Sequence, residues 1–419
     1  MAKHQNYWFE TQGPTLVNRS GIIGNADVLV IGGGVVGLLT LWQLLKSGVE
    51  NVYLVDEQYV GYRASGRSSG QLMIRGARSF TDIYHTEGLA AANDYIDFIA
   101  ANNEILRTII EEHELICDLQ QSGGLRLAMD DDELAALIEE AEIIENAQCG
   151  IHPIIFGRER VEKLVYSKSF AGGMYLPSEA TLNPYKLVNQ MAAKLDVNGR
   201  RILSGCCVES VTEKDNGKLE VVIRDKGTIR TKSVVYCTNA YTPRLLPELH
   251  GFMTSFRGQM IASDVLPDPV QNVMPQMSLS CNYGREYFRM HRGRMLMGGM
   301  RHKVQGYQRK IMSDGEVSRT VGQHLKNFMQ EAFPYIKTQP THVWSGVMCE
   351  TTDGFPLIGP VPGKSGQYIN AGFNGYGFSH ALLAAYAIKD FVTKGHTSLN
   401  AVTTLFSPER AIQENTDDV

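Results

Sequence analysis

The sequence predicts an α/β protein in which a Rossmann-like nucleotide-binding unit is joined to a second, intimately associated domain. Three observations carry that expectation. The chain has 419 residues, well beyond the ~150 of a common domain. A glycine turn, Gly32-x-Gly34-x-x-Gly37, sits between an apolar run and a stretch of helical periodicity. An acid, Asp56, stands nineteen residues after Gly37. Hydrophobic residues at 43% and charged residues at 20% belong to a folded globular chain and exclude a disordered or collagenous one.

Each element of the nucleotide unit has a mechanical role. Val28 to Ile31 is an apolar run of strand length. Leu38, Leu41, Trp42 and Leu45 recur at helical spacing until Gly48, and Val52 to Val55 is the next parallel strand. In the turn, Gly32 allows the sharp reversal, Gly34 lets backbone reach a pyrophosphate, and Gly37 lets the helix meet the strand. Amides of the first helical turn, around Val36, then face the anion. Asp56, with Glu57 beside it, ends the second strand where a carboxylate accepts hydrogen bonds from an adenosine ribose. This unit alone does not distinguish FAD from NAD.

Composition narrows the partners. Forty Lys and Arg against forty-five Asp and Glu give a net charge of -5, which argues against nucleic acid. The seven cysteines form no CxxC pair, so a reducing compartment is expected. Residues 1 to 26 contain no signal-peptide core, and no apolar run approaches the ~20 residues of a membrane span. The expectation is a soluble cytoplasmic protein, with no metal site, because no His or Cys cluster has ligand spacing. Ile96, Ile99, Leu106, Ile109 and Ile110 suit a long amphipathic helix, Asp130 to Glu133 a charged helix start, and the polar residues after Pro408 a frayed end.

Residues 61 to 72 read GYRASGRSSGQL, small residues with two arginines that suit a second backbone-lined approach to a cofactor. Here the chain resembles the flavoprotein family of D-amino-acid oxidase, glycine oxidase, sarcosine oxidase and gamma-glutamylputrescine oxidoreductase. Ala64, Ser65, Gly66, Arg67, Ser68, Ser69, Gly70 and Gln71 match that family's segment after the second strand, and the resemblance implies noncovalent FAD. It continues through Cys206 to Val211, where Val208 meets the adenine, and through VVYCTNAY with Thr238 and Asn239 at the turn. It ends with Asp353 to Gly359 and with Ala371 to Phe378, which contributes Gly372, Asn374, Gly375, Tyr376 and Gly377. A helix over Ser379 to Val392 would aim its N-terminus at the charge that develops on a reduced flavin.

The resemblance implies a discontinuous Rossmann-like FAD domain (22–85, 150–245, 340–395), an antiparallel-sheet substrate domain (86–149, 246–339) and a tail (396–419). It implies hydride transfer from the C–N bond of an amine or amino-acid derivative to flavin, giving an imine, with O2 or another acceptor reoxidising the flavin. Alternatives are the flavin subunit of a hetero-oligomeric opine or secondary amino-acid dehydrogenase with a partner subunit, and a noncatalytic flavin scaffold. Where amino-acid-oxidising relatives carry a carboxylate-binding arginine after a tryptophan, this chain has Trp344-Ser345-Gly346-Val347-Met348. Met348 offers soft apolar contact, so a simple amino acid is not expected and any substrate carboxylate lies elsewhere. Arg285, Arg289, Arg292, Arg294 and Arg301 cluster near the candidate substrate strands, most of them expected at the solvated surface. Arg301, Trp344 and Met348 are the substrate candidates, and His302 and Tyr287 the catalytic candidates.

Overall fold

The computed structural model describes residues 4–12, 23–196 and 199–411. Its centre is a six-stranded sheet in the order Leu357–Pro360, Gln367–Ala371, Ser233–Tyr236, Val28–Ile31, Val52–Val55, Ile202–Leu203. Neighbours run parallel except the first pair, which is antiparallel. Covered on both faces, such strands read as continuous apolar runs. Alternation along Val28–Ile31 assigns the faces: Val28 and Val30 pack with the helices Val35–Lys46 and Ala381–Lys394. Leu29 and Ile31 pack with Leu219, Val221 and Ile229 of a three-stranded antiparallel sheet.

A second sheet has eight strands, ordered Pro340–Thr351, Met253–Ser263, Arg294–Gly298, Glu286–His291, Ser278–Cys281, Gly124–Ala128, Gly172–Leu176, Ile154–Gly157. It is antiparallel except where Ser278–Cys281 runs parallel to Gly124–Ala128. Three strands expected with the nucleotide segments belong here instead: 172–176 pairs with Gly124–Ala128 on one side and 154–157 on the other, and 340–351 pairs along Met253–Ser263. A strand's periodicity fixes which face is buried, not which sheet its edge joins. Leu89–Glu112 is the long amphipathic helix, and Asp130 caps the helix Asp131–Asn146, its Oδ1 accepting from the Glu133 amide at 2.8 Å.

Both ends of the described chain are tied down. Ala411 is buried, and Arg410 donates to the carbonyls of Phe355 and Pro356 at 2.8 Å and pairs with Asp353. Fraying directly after Pro408 is therefore corrected as far as residue 411; residues 412–419 lie outside the described residues. At the other end a short helix, Tyr7–Thr11, that the sequence reading passed over is packed into the core, with Trp8 fully buried.

Candidate active site

The glycine turn lies at the carboxyl ends of Val28–Ile31 and Val52–Val55, the ligand-binding edge of a doubly wound sheet. Gly32 has φ +114°, and a Cβ there would stand 2.5 Å from the Cys237 carbonyl oxygen; at Gly37 it would stand 1.9 Å from the Gly32 carbonyl oxygen. These glycines keep backbone against backbone. Gly32, Gly34, Val36, Asp56 and Glu57 line one cavity of about 500 Å³, whereas Gly37 serves the packing behind it. Asp56 is anchored, with Oδ2 accepting from Gly33 N at 2.6 Å and Oδ1 from Gln58 N at 2.7 Å. Burial pushes its carboxyl up, and those two amides oppose the shift.

Ala64, Ser65, Arg67 and Ser68 form the next wall. Ser65 Oγ accepts from Val35 N at 3.0 Å, which caps the nucleotide helix. The loop's carbonyls are fastened from behind by distant donors. Asn6 Nδ2 donates to Gly66 O (2.8 Å), Trp344 Nε1 to Arg67 O (2.9 Å), Trp8 Nε1 to Ser68 O (2.8 Å) and Arg289 Nη1 to Gly70 O (2.9 Å). Arg289 is therefore not a solvated surface group: it is buried, held down near a pKa of about 9 by that burial, and also donates to Leu182 O at 2.7 Å. Ser69 and Gln71 face a second cavity instead, and Gly70 lines neither.

Sequence reasoning missed the clasp over the first cavity. Arg63 Nη1 donates to Asp314 Oδ2 at 2.6 Å and to Tyr241 Oη at 2.7 Å, while its Nη2 reaches Glu57 at 2.9 Å. Asp314 Oδ1 in turn accepts from Val347 N at 2.6 Å. Arg63 was present in the GYRASGR segment, but nothing local identifies an acid 251 residues away as its partner.

Val208, Thr238 and Asn239 line the same cavity, and Asn239 Oδ1 accepts from Gly372 N at 3.0 Å, so Gly372 supports the wall without forming it. Gly375 and Gly377 also line it; Asn374 and Tyr376 turn to the second cavity. The closing helix begins at Ala381, after a 3-10 turn at Gly377–Ser379. Its amides at Leu382 and Leu383 donate to Asn102 Oδ1 at 2.9 and 3.2 Å. The expected helix terminus aimed at the cofactor is thus corrected: Asn102 caps the helix, and the backbone of the preceding turn faces the cavity.

The second cavity, of about 770 Å³, opens on the first across Ser68, Gly258, Tyr287, Met348, Gly375 and Phe378, which line both. A Cβ at Gly258 would meet Met348 Cε at 2.4 Å, so that glycine admits the methionine. Burial pushes the Tyr287 hydroxyl up to about 12, which keeps it protonated. His302 and Arg301 line the second cavity and Trp344 the first. His302 Nδ1 lies 3.4 Å from Glu286 Oε1; burial and the cations Lys303, Arg285 and Arg301 hold its pKa down, which makes it a poor proton acceptor. Arg285 lines the second cavity, whereas Arg292 and Arg294 line neither.

Backbone amides, Ser65 and the guanidinium groups of Arg67 and Arg244 give the first cavity an anion-seeking side, whereas Arg63 and Arg224 are matched by Glu57, Asp314 and Glu209. Ile31, Val208, Phe373 and Phe378 add apolar walls for planar rings. That combination fits an extended flavin dinucleotide. A nucleotide cradle opening onto a sheet-walled chamber defines a cofactor-dependent oxidoreductase.

The family model described as FAD dependent oxidoreductase (DAO) matches residues 27–390, and the chain belongs to that family. Among curated relatives it is similar to gamma-glutamylputrescine oxidoreductase of Escherichia coli K12, 27% identical over 380 residues that cover 87% of this chain and 83% of the relative. The fold is shared with L-proline dehydrogenase from P. horikoshii (TM-score 0.78, 19% identity, 94% of this chain and 99% of that one). It is also shared with glycine oxidase from Geobacillus kaustophilus (TM-score 0.76, 19% identity, 92% and 98%). No helix among the described residues is long and apolar enough to cross a membrane.

Proposed function

We propose that this FAD-dependent oxidoreductase converts the C–N single bond of an amine or amino-acid derivative to an imine, with its FAD held noncovalently. The observation that carries the reading is the junction itself: Tyr287, Met348 and Gly258 belong to both cavities, so a substrate in the larger one meets the cofactor there. The Gly32–Gly37 turn, Asp56, Glu57, Ala64–Ser68, Val208, Thr238, Asn239, Gly375 and Gly377 would hold the FAD, which when bound supplies a hydride acceptor. Support for noncovalent binding comes from position. Gly346, not a cysteine, lines the cavity beside Trp344, and Cys349 lines neither cavity, its buried thiol pushed up to about 12.

The chain's own residues orient and desolvate. Met348 and Phe378 present apolar surface at the junction and exclude water from the reacting carbon. The Tyr287 hydroxyl, kept protonated, offers its oxygen as an acceptor for a substrate N–H, which leaves the lone pair of the neutral amine free to assist departure of the hydride. Sharing of the larger cavity by Tyr287 and Tyr376 also suits attraction of a cationic amine to ring faces.

The test is anaerobic bleaching of the purified protein's flavin absorbance with amines, N-methyl amino acids and carboxylate-bearing diamine derivatives. Bleaching by members of the panel, without bleaching by glycine at low concentration, is the expected result. A flavin that stays yellow with every compound overturns the proposal. Acid precipitation should leave the chromophore in the supernatant; a yellow pellet would contradict noncovalent binding.

A further inference from the structure

The segment between the strand Arg294–Gly298 and the helix Arg319–Ala332 serves both cavities. Its first half walls the larger one with Gly299, Arg301, His302, Tyr307 and Arg309. Further along, Asp314 meets the cofactor cavity from behind: it is 4% exposed and does not itself line that cavity. Four residues that do line it, Arg63, Arg67, Tyr241 and Val347, are its hydrogen-bond partners.

Asp314 Oδ2 accepts from Arg63 Nη1 at 2.6 Å and from the Tyr241 hydroxyl at 3.2 Å, and Oδ1 accepts from Val347 N at 2.6 Å. Its carbonyl accepts from Arg67 Nη1 at 3.2 Å. These partners belong to three separate parts of the wall: the loop around Ala64–Gly66, the 3-10 turn Asn239–Arg244 and the strand Pro340–Thr351. Arg63 extends the tie to a fourth, because its Nη2 donates to Glu57 at 2.9 Å, just past the strand Val52–Val55. The residues that follow are fastened too, which fixes where the carboxylate stands. Ser345 Oγ donates to Glu316 O at 2.7 Å, and the Gln259 amide exchanges two hydrogen bonds with the Ser318 backbone at 2.7 and 3.0 Å. The Asp314 side chain is 2% exposed and that of Arg63 30%. A carboxylate so deeply buried is strongly destabilising once its cation is removed, so the pair holds the wall in one arrangement.

We propose that Asp314 is a positioning residue for the cofactor: by fixing Arg63 between Glu57 and Tyr241 it latches separate parts of the cavity wall together and sets how long FAD stays bound. This rests on the reading of that cavity as the seat of a noncovalent FAD. The other use of Arg63, as a free cation for the FAD diphosphate, has the opposite sign, since releasing it from Asp314 would then tighten binding.

The experiment follows FAD release from the diluted holoenzyme by the rise in flavin fluorescence. Asp314→Asn keeps an oxygen for Val347 N but turns an amide NH2 toward the guanidinium, and release should become about tenfold to a hundredfold faster. Y241F and R63K should each speed it severalfold. A double-mutant cycle separates the latch from a role in folding alone: in an R63Q background D314N should add no more than about twofold, because its partner is already gone. Unchanged or slower release in D314N, or the same acceleration in both backgrounds, would overturn the proposal. Should D314N yield no folded holoenzyme, R63K and Y241F decide: faster release in either supports the latch, and unchanged release in both overturns it. If acid precipitation leaves the flavin on the protein, the noncovalent reading fails by itself, and the latch is judged by iodide quenching of the bound flavin's fluorescence. Stronger quenching in D314N supports it; equal quenching overturns it.

Discussion

The two cavities are built from different materials. The cofactor cavity includes three glycine- or small-residue-rich turns in its wall: the glycine turn, the loop at Ala64–Ser68 and the closing turn at Gly375–Gly377. The substrate cavity is walled by side chains, with Arg75, Arg301, Tyr287, Met348 and Tyr376 among them. A backbone wall needs particular conformations and close approaches, so it demands glycine at fixed spacing. A side-chain wall needs only the right chemistry brought together in space, and leaves no spacing signature. The fold itself is shared with glycine oxidase and L-proline dehydrogenase at 19% identity.

The strongest way to break this contrast is Gly37→Ala. The added carbon would lie 1.9 Å from the Gly32 carbonyl oxygen, a clash that backbone on both sides cannot relieve. Near-total loss of bound flavin is expected, read from the ratio of visible to ultraviolet absorbance. Normal flavin content in this variant would show that the turn tolerates side chains and that the contrast is false.

A smaller effect comes from the buried histidines behind the two walls. His291 lies between Tyr7 Oη at 2.8 Å and Asp118 Oδ2 at 3.3 Å, and His380 lies between Tyr95 Oη at 3.0 Å and the Tyr376 carbonyl at 2.9 Å. Burial holds both near a pKa of about 4, below the ordinary 6.5. As pH falls through 6.5 the unfolded chain takes up protons that the folded one refuses, so stability present above that pH is lost toward about 4. By about pH 5 the loss is on the order of 2 kcal/mol per histidine. Urea unfolding at about pH 7 and about pH 5 measures it; equal stability at both would mean that the histidines stay accessible to protons in the fold.

The smallest effect sharpens the comparison. Trp8→Phe removes the indole donor to the Ser68 carbonyl and little volume. One hydrogen bond of about 1 kcal/mol predicts FAD binding weaker by severalfold, measured by the fluorescence of flavin released on dilution. An unchanged dissociation constant would show that the loop keeps its shape without the N-terminal helix.

Much of the cofactor site was legible because its signals are local. Strand, glycine turn, helix and acid follow one another within thirty residues, and Gly32, Gly34 and Asp56 line one cavity. The clasp from Arg63 to Asp314 and the buried Arg289 were not legible, since Asp314 is 251 residues from Arg63 and the partners of Arg289 are 107 and 219 residues away. The aromatic triplet Tyr7-Trp8-Phe9, standing in a polar segment, was a signal of packing that composition alone could have flagged.

By itself the chain determined the strand, glycine turn and helix of its nucleotide unit and the burial of each strand face, because turn geometry and alternation are properties of neighbouring residues. Tertiary structure alone decided which sheet the strands 154–157, 172–176 and 340–351 joined, that Asn102 caps the closing helix, and that the buried Arg75 lines the substrate cavity. Edge pairing, capping from afar and charge balance depend on what packs alongside, and no short stretch of sequence contains that information.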